Sequence, residues 1–596
     1  MEISPKNYIS GEETSNMNRV VYYYDKMDRV LFKSYEGKYT NYDLVSKTWN
    51  DVTPDGPTII NAYTYDDNGN LTKEQDAVGY EYGYGTEYTY NFANKPVTVL
   101  DPVAKERGLS YAAYYTYDAI GRKITETNAN GVMTIYDYDD AGNVIRVSVK
   151  KSESDAAQTI QSGTYDLLGN VLTKTDGNGN TTIFEYNALS KVKKAVYPSD
   201  ETIDANTVTY EYDNVGNVIS TKNSLGRVDI YTYDNQGRVL SSTQQKEDGS
   251  DRIIISVRYD KNGNKRFETD GRGTVKENKY DTLNKLISAS ISGKTTTYEY
   301  DADGNQTKQT DWRGNTYTNT YDALNRLIEK KDPNGKSIEK LEYNENNAQI
   351  KTYDALDNMT GYTYDKNNRL ISTIDPALHT TSQSYDNVGN VETRIDGKNN
   401  TTTYEYDEFN RLVSVKNAKN EITSYTYDLN GNMLTQQDAK GNTISFRYNV
   451  LNKLIEKISP VNEENSSNTE SYNYNGDGTL KTSMDRNGNT STYTYDIHGR
   501  LVKKSVGGIS ITYSYDENGN QLTVKDATGI TEREYDDFNR VTSKSVPNIG
   551  TSTYNYDIIE GVVDCQVKLD TFLKNFCLEL NTFLLHTFFQ QTFFNE

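Results

Sequence analysis

Short segments in which aromatic and β-branched residues alternate with polar residues recur along the chain, and Asp, Asn and Gly bound each of them. In the segment Thr401–Tyr406 (TTTYEY), Tyr404 and Tyr406 share one face of an extended strand and Glu405 takes the other. A second segment, Arg411–Val415, follows after a polar turn. The pattern predicts strands of about six residues with one buried face, joined by tight turns.

The Tyr-Asp pair that ends the aromatic strand repeats at a fixed spacing. Successive tyrosines of this motif lie 21 residues apart at Tyr343, Tyr364, Tyr385, Tyr406, Tyr427 and Tyr448. Earlier and later members extend the series from Tyr65 to Tyr556. A period held over such a length indicates that each unit buries its face against its neighbours and not inside a core of its own.

Each period contains two turns, one directly after the Tyr-Asp pair and one about ten residues later. Asp at the first position and Gly at the fourth are typical of a type I turn followed by a residue with positive φ. Asn replaces Gly in many copies because it is among the few other residues that tolerate the left-handed region. The turn residues predicted to matter for folding include Asp322, Asn325, Asp386, Gly389, Asp428, Gly431, Asp485, Gly488, Asp516 and Gly519.

Strand, turn, strand, turn at this spacing predicts an all-β fold, a long antiparallel meander of hairpins. A parallel β-solenoid with two turns per coil has a similar period, and we place it second. The buried face is predicted to be built from tyrosines, because cross-strand aromatic pairs stabilise sheets and aliphatic residues are scarce. Representative members of this face are Tyr385, Tyr404, Tyr406, Tyr425, Tyr427, Tyr493 and Tyr495.

The composition limits the classes of function that the protein can have. The 596 residues carry a net charge of −21 and only 34% are hydrophobic, which by itself is typical of a disordered chain. The 52 tyrosines argue against disorder, since disordered chains are poor in aromatics. The acidic balance argues against a nucleic-acid partner. Three histidines and two cysteines are too few for a disulfide framework or a Cys/His zinc site, so we expect no cofactor, no metal and no enzyme activity.

Three candidate sites have simpler explanations. Exposed aromatics such as Trp49 and Trp312 could stack on sugars, but neither belongs to a recognisable binding motif. The oxygen-rich runs beginning at Asp176 and Asp301 could bind calcium, yet they lack the EF-hand pattern, and turn formation explains the same residues. His379 and His498 lie at or beside turns without a Ser or Cys nucleophile motif, as solvated turn residues do.

The composition divides the chain into three parts. Residues 1–20 form a polar segment, residues 21–557 carry the repeats, and residues 558–596 lack Tyr and are rich in Phe. The last part is either an amphipathic helix, with Phe576, Leu580 and Phe583 at helical spacing, or the product of a frameshift, and we favour the frameshift. No secretory signal and no apolar run of about 18 residues is present, so we expect no membrane span.

The repeated motif resembles the YD repeats of the RHS family. Clear copies are Tyr321–Leu327, Tyr385–Asn390, Tyr427–Asn432 and Tyr495–Arg500, and the resemblance covers roughly residues 20–557. The family includes bacterial wall-associated proteins, Rhs polymorphic toxins, shell components of insecticidal toxin complexes, and the teneurins. The resemblance implies a sheet of hairpins that spirals into a hollow β-shell, which encloses a C-terminal effector in toxin members.

The resemblance implies a non-catalytic structural or encapsulating module of an RHS-type cell-surface or toxin-delivery protein, located outside the cell or at its surface. The Asp-Pro pairs at Asp101, Asp332 and Asp375 lack the continuation that precedes the effector in toxin members, so we expect a fragment without an effector. The expected partners are cell-wall glycan or an effector encoded outside this chain. The alternative function is a cell-surface carbohydrate-binding adhesin.

Overall fold

The structure is a computed structural model that describes residues 19–36, 39–43, 48–52, 58–245, 249–460, 468–556 and 563–569. The described residues form fifty strands and two short helices. They belong to two compact units. The first unit comprises Met1–Asp200, Asp281–Ser288 and Thr296–Thr469, and the second comprises Glu201–Tyr280, Ala289–Thr295 and Glu470–Glu596.

The first unit contains two runs of strands. The first run consists of β1 (Arg19–Tyr24), β2 (Val30–Glu36), β3 (Tyr39–Asp43), β4 (Thr48–Val52), β5 (Thr58–Tyr65), β6 (Leu71–Asp76), β7 (Thr86–Tyr90), β8 (Pro96–Leu100), β9 (Ala113–Tyr117), β10 (Lys123–Asn128), β11 (Met133–Tyr138), β12 (Val144–Lys150), β13 (Gln158–Tyr165), β14 (Val171–Asp176), β15 (Thr181–Tyr186) and β16 (Val192–Val196), with helices α1 (Ala77–Tyr82) and α2 (Pro102–Glu106). The second run consists of β26 (Gln306–Thr310), β27 (Thr316–Tyr321), β28 (Leu327–Lys331), β29 (Ser337–Tyr343), β30 (Gln349–Asp354), β31 (Met359–Tyr364), β32 (Leu370–Ile374), β33 (Thr380–Tyr385), β34 (Val391–Ile395), β35 (Thr401–Tyr406), β36 (Leu412–Lys416), β37 (Ile422–Tyr427), β38 (Met433–Gln437), β39 (Thr443–Tyr448) and β40 (Leu454–Ile458).

The second unit also contains two runs. The first is β17 (Thr207–Tyr212), β18 (Val218–Lys222), β19 (Val228–Tyr233), β20 (Val239–Gln245), β21 (Asp251–Tyr259), β22 (Lys265–Asp270) and β23 (Val275–Tyr280). The second is β41 (Thr469–Tyr474), β42 (Leu480–Met484), β43 (Thr490–Tyr495), β44 (Leu501–Val506), β45 (Ile509–Tyr515), β46 (Gln521–Asp526), β47 (Gly529–Tyr535), β48 (Val541–Val546), β49 (Gly550–Tyr556) and β50 (Val563–Leu569). The strands β24 (Leu286–Ile291) and β25 (Lys294–Tyr300) contribute residues to both units, and β41 contributes Thr469 to the first unit.

Within each unit, the ladders between described strands are antiparallel and join strands that follow one another in sequence. The hairpin of β3 and β4 is inserted between β2 and β5, which pair with each other. The prediction of an all-β antiparallel meander is therefore confirmed, and the alternative of a parallel solenoid is wrong.

In the repeats that precede Tyr556, the ladder shifts register at the tyrosine of the Tyr-Asp pair. In β37 the step from Thr426 to Tyr427 moves the partner from Thr435 to Met433, which leaves one residue of β38 unpaired. Such a bulge accompanies a type I turn followed by a left-handed residue, and it increases the local twist of the strands. The same step recurs in other repeats, so the turn chemistry sets the register of the meander.

Most described strand residues are half-buried, and few side chains are fully covered. Eleven apolar residues of the described chain are buried, among them Tyr35, Ala195 and Tyr353. On β35, Tyr404 and Tyr406 are half-buried and Glu405 is exposed, as the period-two alternation predicts. The sheet therefore depends on its ladders and on contacts between neighbouring repeats more than on a central apolar core.

The two helices replace second turns in the first unit, and the sequence pattern did not predict them. The Asp76 carboxylate caps α1 by accepting a hydrogen bond from the Gly79 N–H, and Gly83 ends the helix with φ 78°. The Asp101 carboxylate caps α2 in the same way, with Pro102 in the first turn of the helix. At both places, the Asp that would begin a second turn in other repeats begins a helix instead.

The predicted N-terminal segment lies almost wholly outside the described residues, as do residues 570–596 of the predicted Phe-rich tail. The described part of the tail is β50, which pairs with β49 from Gly550 to Tyr556. Among the described residues, no helix is both long and apolar enough to span a membrane.

Candidate functional site: the rim turns and their seams

The first turn, which follows the Tyr-Asp pair, is held by the carboxylate of its Asp. In the turn that begins at Asp428, Oδ1 accepts hydrogen bonds from the backbone N–H groups of Asn430 (3.0 Å) and Asn432 (2.9 Å). The Asn432 side chain donates to Oδ2 at 2.8 Å, and the Gly431 N–H donates to the Asp428 carbonyl at 3.2 Å. One carboxylate thus satisfies three donors that a tight turn would otherwise leave unpaired.

The structure places the predicted turn residues in this arrangement. The carboxylates of Asp322, Asp386, Asp485 and Asp516 each accept from the backbone N–H groups two and four residues later. The fourth positions have positive φ, with values of 62° at Asn325, 100° at Gly389, 89° at Gly431, 79° at Gly488 and 90° at Gly519. The second turn at Asp485 has the same geometry. First turns and second turns lie at opposite ends of the strands, along the two rims of the meander, so the same hydrogen bonds build both rims.

These hydrogen bonds predict how stability depends on pH. The Asn side chain four residues later and backbone N–H groups lower the pKa values of Asp396, Asp438 and Asp485 below 3.8. A carboxyl with a lower pKa in the folded state stabilises the fold above its unfolded pKa, and this contribution is lost as the pH falls through the folded pKa. We expect the urea midpoint to fall as the pH is lowered from about 4.

The control for this pH dependence is the triple variant Asp396→Asn, Asp438→Asn and Asp485→Asn, because Asn417 already begins a second turn with the same backbone contacts. The variant should show a shallower loss of stability in acid than the unaltered chain. Equal slopes below pH 4 in the two proteins would contradict the assignment of these carboxylates.

The tyrosine of each Tyr-Asp pair connects its repeat to the preceding one. The Tyr427 hydroxyl donates to the Leu412 carbonyl at 2.7 Å, and Leu412 is the ladder partner of Tyr406. The hydroxyls of Tyr385 and Tyr406 donate to the equivalent carbonyls of the repeats before them. The second tyrosine of the pattern varies in role: Tyr404 and Tyr425 are half-buried on the same face, and the Tyr493 hydroxyl lies 3.1 Å from Ser483 Oγ. Tyr495, another member of the predicted face, is half-buried, and burial raises its pKa.

Removing one such hydroxyl should weaken the contact between two repeats. Tyr427→Phe leaves the half-buried Leu412 carbonyl without its donor, and we expect a loss of about 1 kcal/mol in the free energy of unfolding. Tyr425→Phe is the matched control, because the Tyr425 hydroxyl makes no hydrogen bond to any described residue and the ring is retained. Urea denaturation of both variants tests this, and equal losses would contradict the role given to Tyr427.

The residue that closes the first turn contacts the next first turn on the same rim. The Asn390 side chain donates to Asn410 Oδ1 at 3.1 Å, so an Asn at closure faces an Asn at the left-handed position. Arg411 forms an ion pair with Asp407 at 2.7 Å and lies 4.9 Å from the ring centre of Tyr427. Arg411 Nη1 also donates to the carbonyl of Asp428, the residue that begins the next first turn.

In the first unit, first turns of one run contact second turns of the other, along a surface that we call the first seam. The contacting residues are 250 to 292 apart in sequence. Asn430 Nδ2 donates to Asp176 Oδ2 at 2.7 Å, and in return Asn178 Nδ2 donates to Asp428 Oδ2 at 2.9 Å. Asn367 Nδ2 donates to Asp101 Oδ1 at 2.7 Å in the same way. Asn at the third position of a first turn thus donates to the Asp that begins a distant second turn, or to the Asp that caps the helix in its place.

The second unit contains an equivalent second seam. Asn518 Nδ2 donates to Asp270 Oδ2 at 2.6 Å, and the Arg272 N–H donates to Asn518 Oδ1 at 3.1 Å. Arg272 Nη2 donates to the Asp536 carbonyl at 2.7 Å. Arg252, which is 7% exposed, donates from Nε to the Glu517 carbonyl at 2.8 Å. The same third-position Asn therefore forms the contact in both units.

The strongest candidate for chemistry is His498, the third residue of a first turn at this seam. His498 lies beside a hollow of about 300 Å³ whose lining includes Arg252, Asp496, Arg500 and Glu517. Burial and the neighbouring arginines lower the pKa of His498. The residues that line the hollow include no Ser or Cys nucleophile. The other predicted histidine, His379, is exposed, with Nδ1 3.0 Å from Asp375 Oδ2.

The remaining candidates belong to turns. The Asp176 carboxylate accepts hydrogen bonds from Asn180 and Asn430, and the Asp301 carboxylate accepts from Asn305. No group of three or more His, Cys, Asp or Glu side chains suited to a metal ion occurs among the described residues. Trp312 is 37% exposed and Arg313 lies over its ring. Trp49 belongs to β4, a strand whose side chains the structure does not describe.

Comparison with known families agrees with the turn chemistry. The Teneurin YD-shell family model matches residues 375–487 and 479–564. The RHS Repeat family model matches residues 115–152, 165–202, 212–251 and 280–316. Together the two models cover more than half of the chain. The protein belongs to the RHS/YD-repeat family.

Two solved structures that match this RHS/YD-repeat chain are much longer than it is. No curated protein matches its sequence. A Photorhabdus luminescens Tc holotoxin pore structure is 16% identical, with a TM-score of 0.42, over 93% of this chain and 28% of that one. A TcdB2-TccC3 crystal structure is 15% identical, with a TM-score of 0.40, over 93% and 28% respectively. The chain thus spans little more than a quarter of the length of these structures.

The seam residues of this RHS/YD-repeat chain were missed by sequence reasoning. Asn346, Asn367, Asn430 and Asn518 all occupy the third position of a first turn, where Asn is unremarkable. The contact between Asn390 and Asn410 is reflected in the sequence, because a first turn that ends in Gly-Asn is followed by a first turn that ends in Asn-Arg. That alternation could have been read from the repeat alone.

Proposed function

We propose that the chain is a non-catalytic structural module that forms part of the wall of an RHS-type encapsulating shell. The observation that carries the proposal is the rim-to-rim bonding within each unit. In the first unit, Asn430 and Asp176 join turns 254 residues apart, and in the second, Asn518 and Asp270 join turns 248 residues apart. A wall that must retain a passenger needs its successive rows sealed along their edges, and this bonding supports such sealing.

The proposal gives the turn and tyrosine residues a structural role. Asp386, Gly389, Asp428, Gly431 and their equivalents set the hairpins, and the Tyr-Asp tyrosines join one repeat to the next. The passenger would be an effector encoded outside this chain, and the module would act outside the cell or at its surface.

The experiment that tests the proposal combines electron microscopy of the purified chain with an array of cell-wall polysaccharides. A wall module should appear as a curved sheet around a hollow and should show no saturable binding to any polysaccharide. Saturable binding that is lost in Trp312→Ala, with no hollow in the images, would overturn the proposal in favour of the carbohydrate-binding adhesin. Hydrolysis of any polysaccharide that is lost in His498→Ala would overturn the non-catalytic assignment.

A further inference from the structure

In the first seam, the second turn that begins at Asp176 is covered by a first turn and has a recognisable chemistry. At Gly177, the second position of its turn, a Cβ would lie 2.8 Å from Leu429 Cβ, so the small residue makes room for the leucine of the opposing first turn. At the third position, Asn178 Nδ2 donates to Asp428 Oδ2 at 2.9 Å. The first three residues of the covered turn are therefore a capping Asp, a small residue and a hydrogen-bond donor.

The second seam repeats this order independently. Asp270 caps the turn, and a Cβ on the next residue, Gly271, would lie 2.6 Å from the Glu517 carbonyl oxygen. The third residue, Arg272, places Nε 3.6 Å from Asp516 Oδ2. A small second residue and a donor at the third position are thus what a second turn needs when a first turn covers it.

Three consecutive second turns of the first unit have the same order but are uncovered. They are Asp396-Gly397-Lys398, Asn417-Ala418-Lys419 and Asp438-Ala439-Lys440. Residues 396–400, 417–421 and 438–442 are all exposed. We call these turns the socket rim. A Cβ at Gly397 would also meet His379 Cβ at 2.9 Å, so the two alanines are the informative small residues.

The complementary surface is also present and uncovered in the first unit. Ile120, Leu167, Leu168 and Leu189 occupy the second or third positions of first turns and are 77%, 105%, 78% and 66% exposed. Leu167 has the position in its turn that Leu429 has in the first seam, where Leu429 is half-buried. We call the first turns that carry these four residues the knob rim. A row of apolar side chains this exposed marks an interaction surface.

We propose that a second copy of this chain docks head to tail, with the knob rim of one copy on the socket rim of the other. In this contact Leu167 and its neighbours pack over Ala418 and Ala439, as Leu429 packs over Gly177. Lys419 and Lys440 face first-turn carboxylates such as Asp166, as Asn178 faces Asp428. The two surfaces differ, so the contact is heterologous, and each added copy leaves one rim of each kind available for another.

Sedimentation velocity of the full chain over a range of concentrations tests this, with one variant for each rim. Ala418→Trp with Ala439→Trp fills the socket rim, and Leu167→Asp with Leu168→Asp removes the knobs. We expect the unaltered chain to form oligomers of increasing size, and each variant to associate at least about tenfold more weakly. Glu405→Trp, which adds one tryptophan at an exposed strand position, should associate like the unaltered chain.

Mixing the two variants gives the sharpest result. The socket-filled variant retains its knobs and the knob-deficient variant retains its sockets, so the mixture should form a dimer with one copy of each and stop there. A monomeric unaltered chain at the highest soluble concentration would overturn the proposal. Oligomers that persist in both variants would also overturn it, since another surface would then be responsible. The test is independent of encapsulation, which the imaging experiment addresses separately.

Discussion

Replacing Gly271 with alanine should open the second seam and lower the stability of the second unit by about 3 kcal/mol. A Cβ at this position would lie 2.6 Å from two backbone oxygens, those of Glu517 and Ile253. Backbone oxygens cannot rotate away, so the seam must separate or the strands must shift. Separation would also break the hydrogen bond between Asn518 and Asp270, which is 2.6 Å long.

Hydrogen exchange measured by mass spectrometry would locate the effect, with thermal unfolding as the global readout. Peptides from residues 249–280 and 510–540 should exchange faster, because both sides of the seam lose their contacts. Gly273→Ala, in the same turn, is the control. Its Cβ would meet nothing within 4 Å, although φ there is 82°, so it should lower stability by about 1 kcal/mol without exposing residues 510–540. Faster exchange on only the 249–280 side in Gly271→Ala would show that the seam survives.

The strands and turns were predictable because their determinants are local. The predicted strand Thr401–Tyr406 coincides with β35, since the alternation of Tyr and Glu and the flanking turn residues all act within a few positions. The next predicted strand was placed one residue early. Arg411 belongs to the turn, where its carbonyl accepts the Asp407 N–H at 3.0 Å, and the strand begins at Leu412.

The seams were not predictable, because their two halves lie about 250 residues apart and each half looks like an ordinary turn. Asn430 and Asn178 contribute to their own turns whether or not a distant turn faces them. Nothing in one sequence states which first turn meets which second turn, since the pairing depends on how many residues each intervening loop contains. Gly177 and Gly271 carried a local hint, because their positions in the turn have no need for positive φ.

The turn residues with left-handed backbone conformation give the second large expected effect on stability. Replacing Gly389, Gly431 and Gly441 together with valine should lower the free energy of unfolding of the first unit by about 3 kcal/mol or more. Their φ values are 100°, 89° and 83°, a region that β-branched residues rarely adopt. A Cβ would meet nothing within 4 Å at Gly431 and Gly441, and only an arginine side-chain nitrogen at 3.6 Å at Gly389. The loss would therefore come from the backbone and not from crowding, and urea denaturation measures it.

The backbone explanation requires two further results. The triple variant with asparagine at the same three positions should lose far less stability, because the chain already places Asn at this conformation, with φ 60° at Asn410 and 58° at Asn452. Leu378 has φ 64° and is 77% exposed, so Leu378→Gly should raise the urea midpoint by relieving strain without removing a packed side chain. If the valine and asparagine variants were equally unstable, the side chains at these turns would matter more than φ. The repeat would then depend on contacts that differ from one turn to the next, and the interchange of Gly and Asn along the chain would have no common cause.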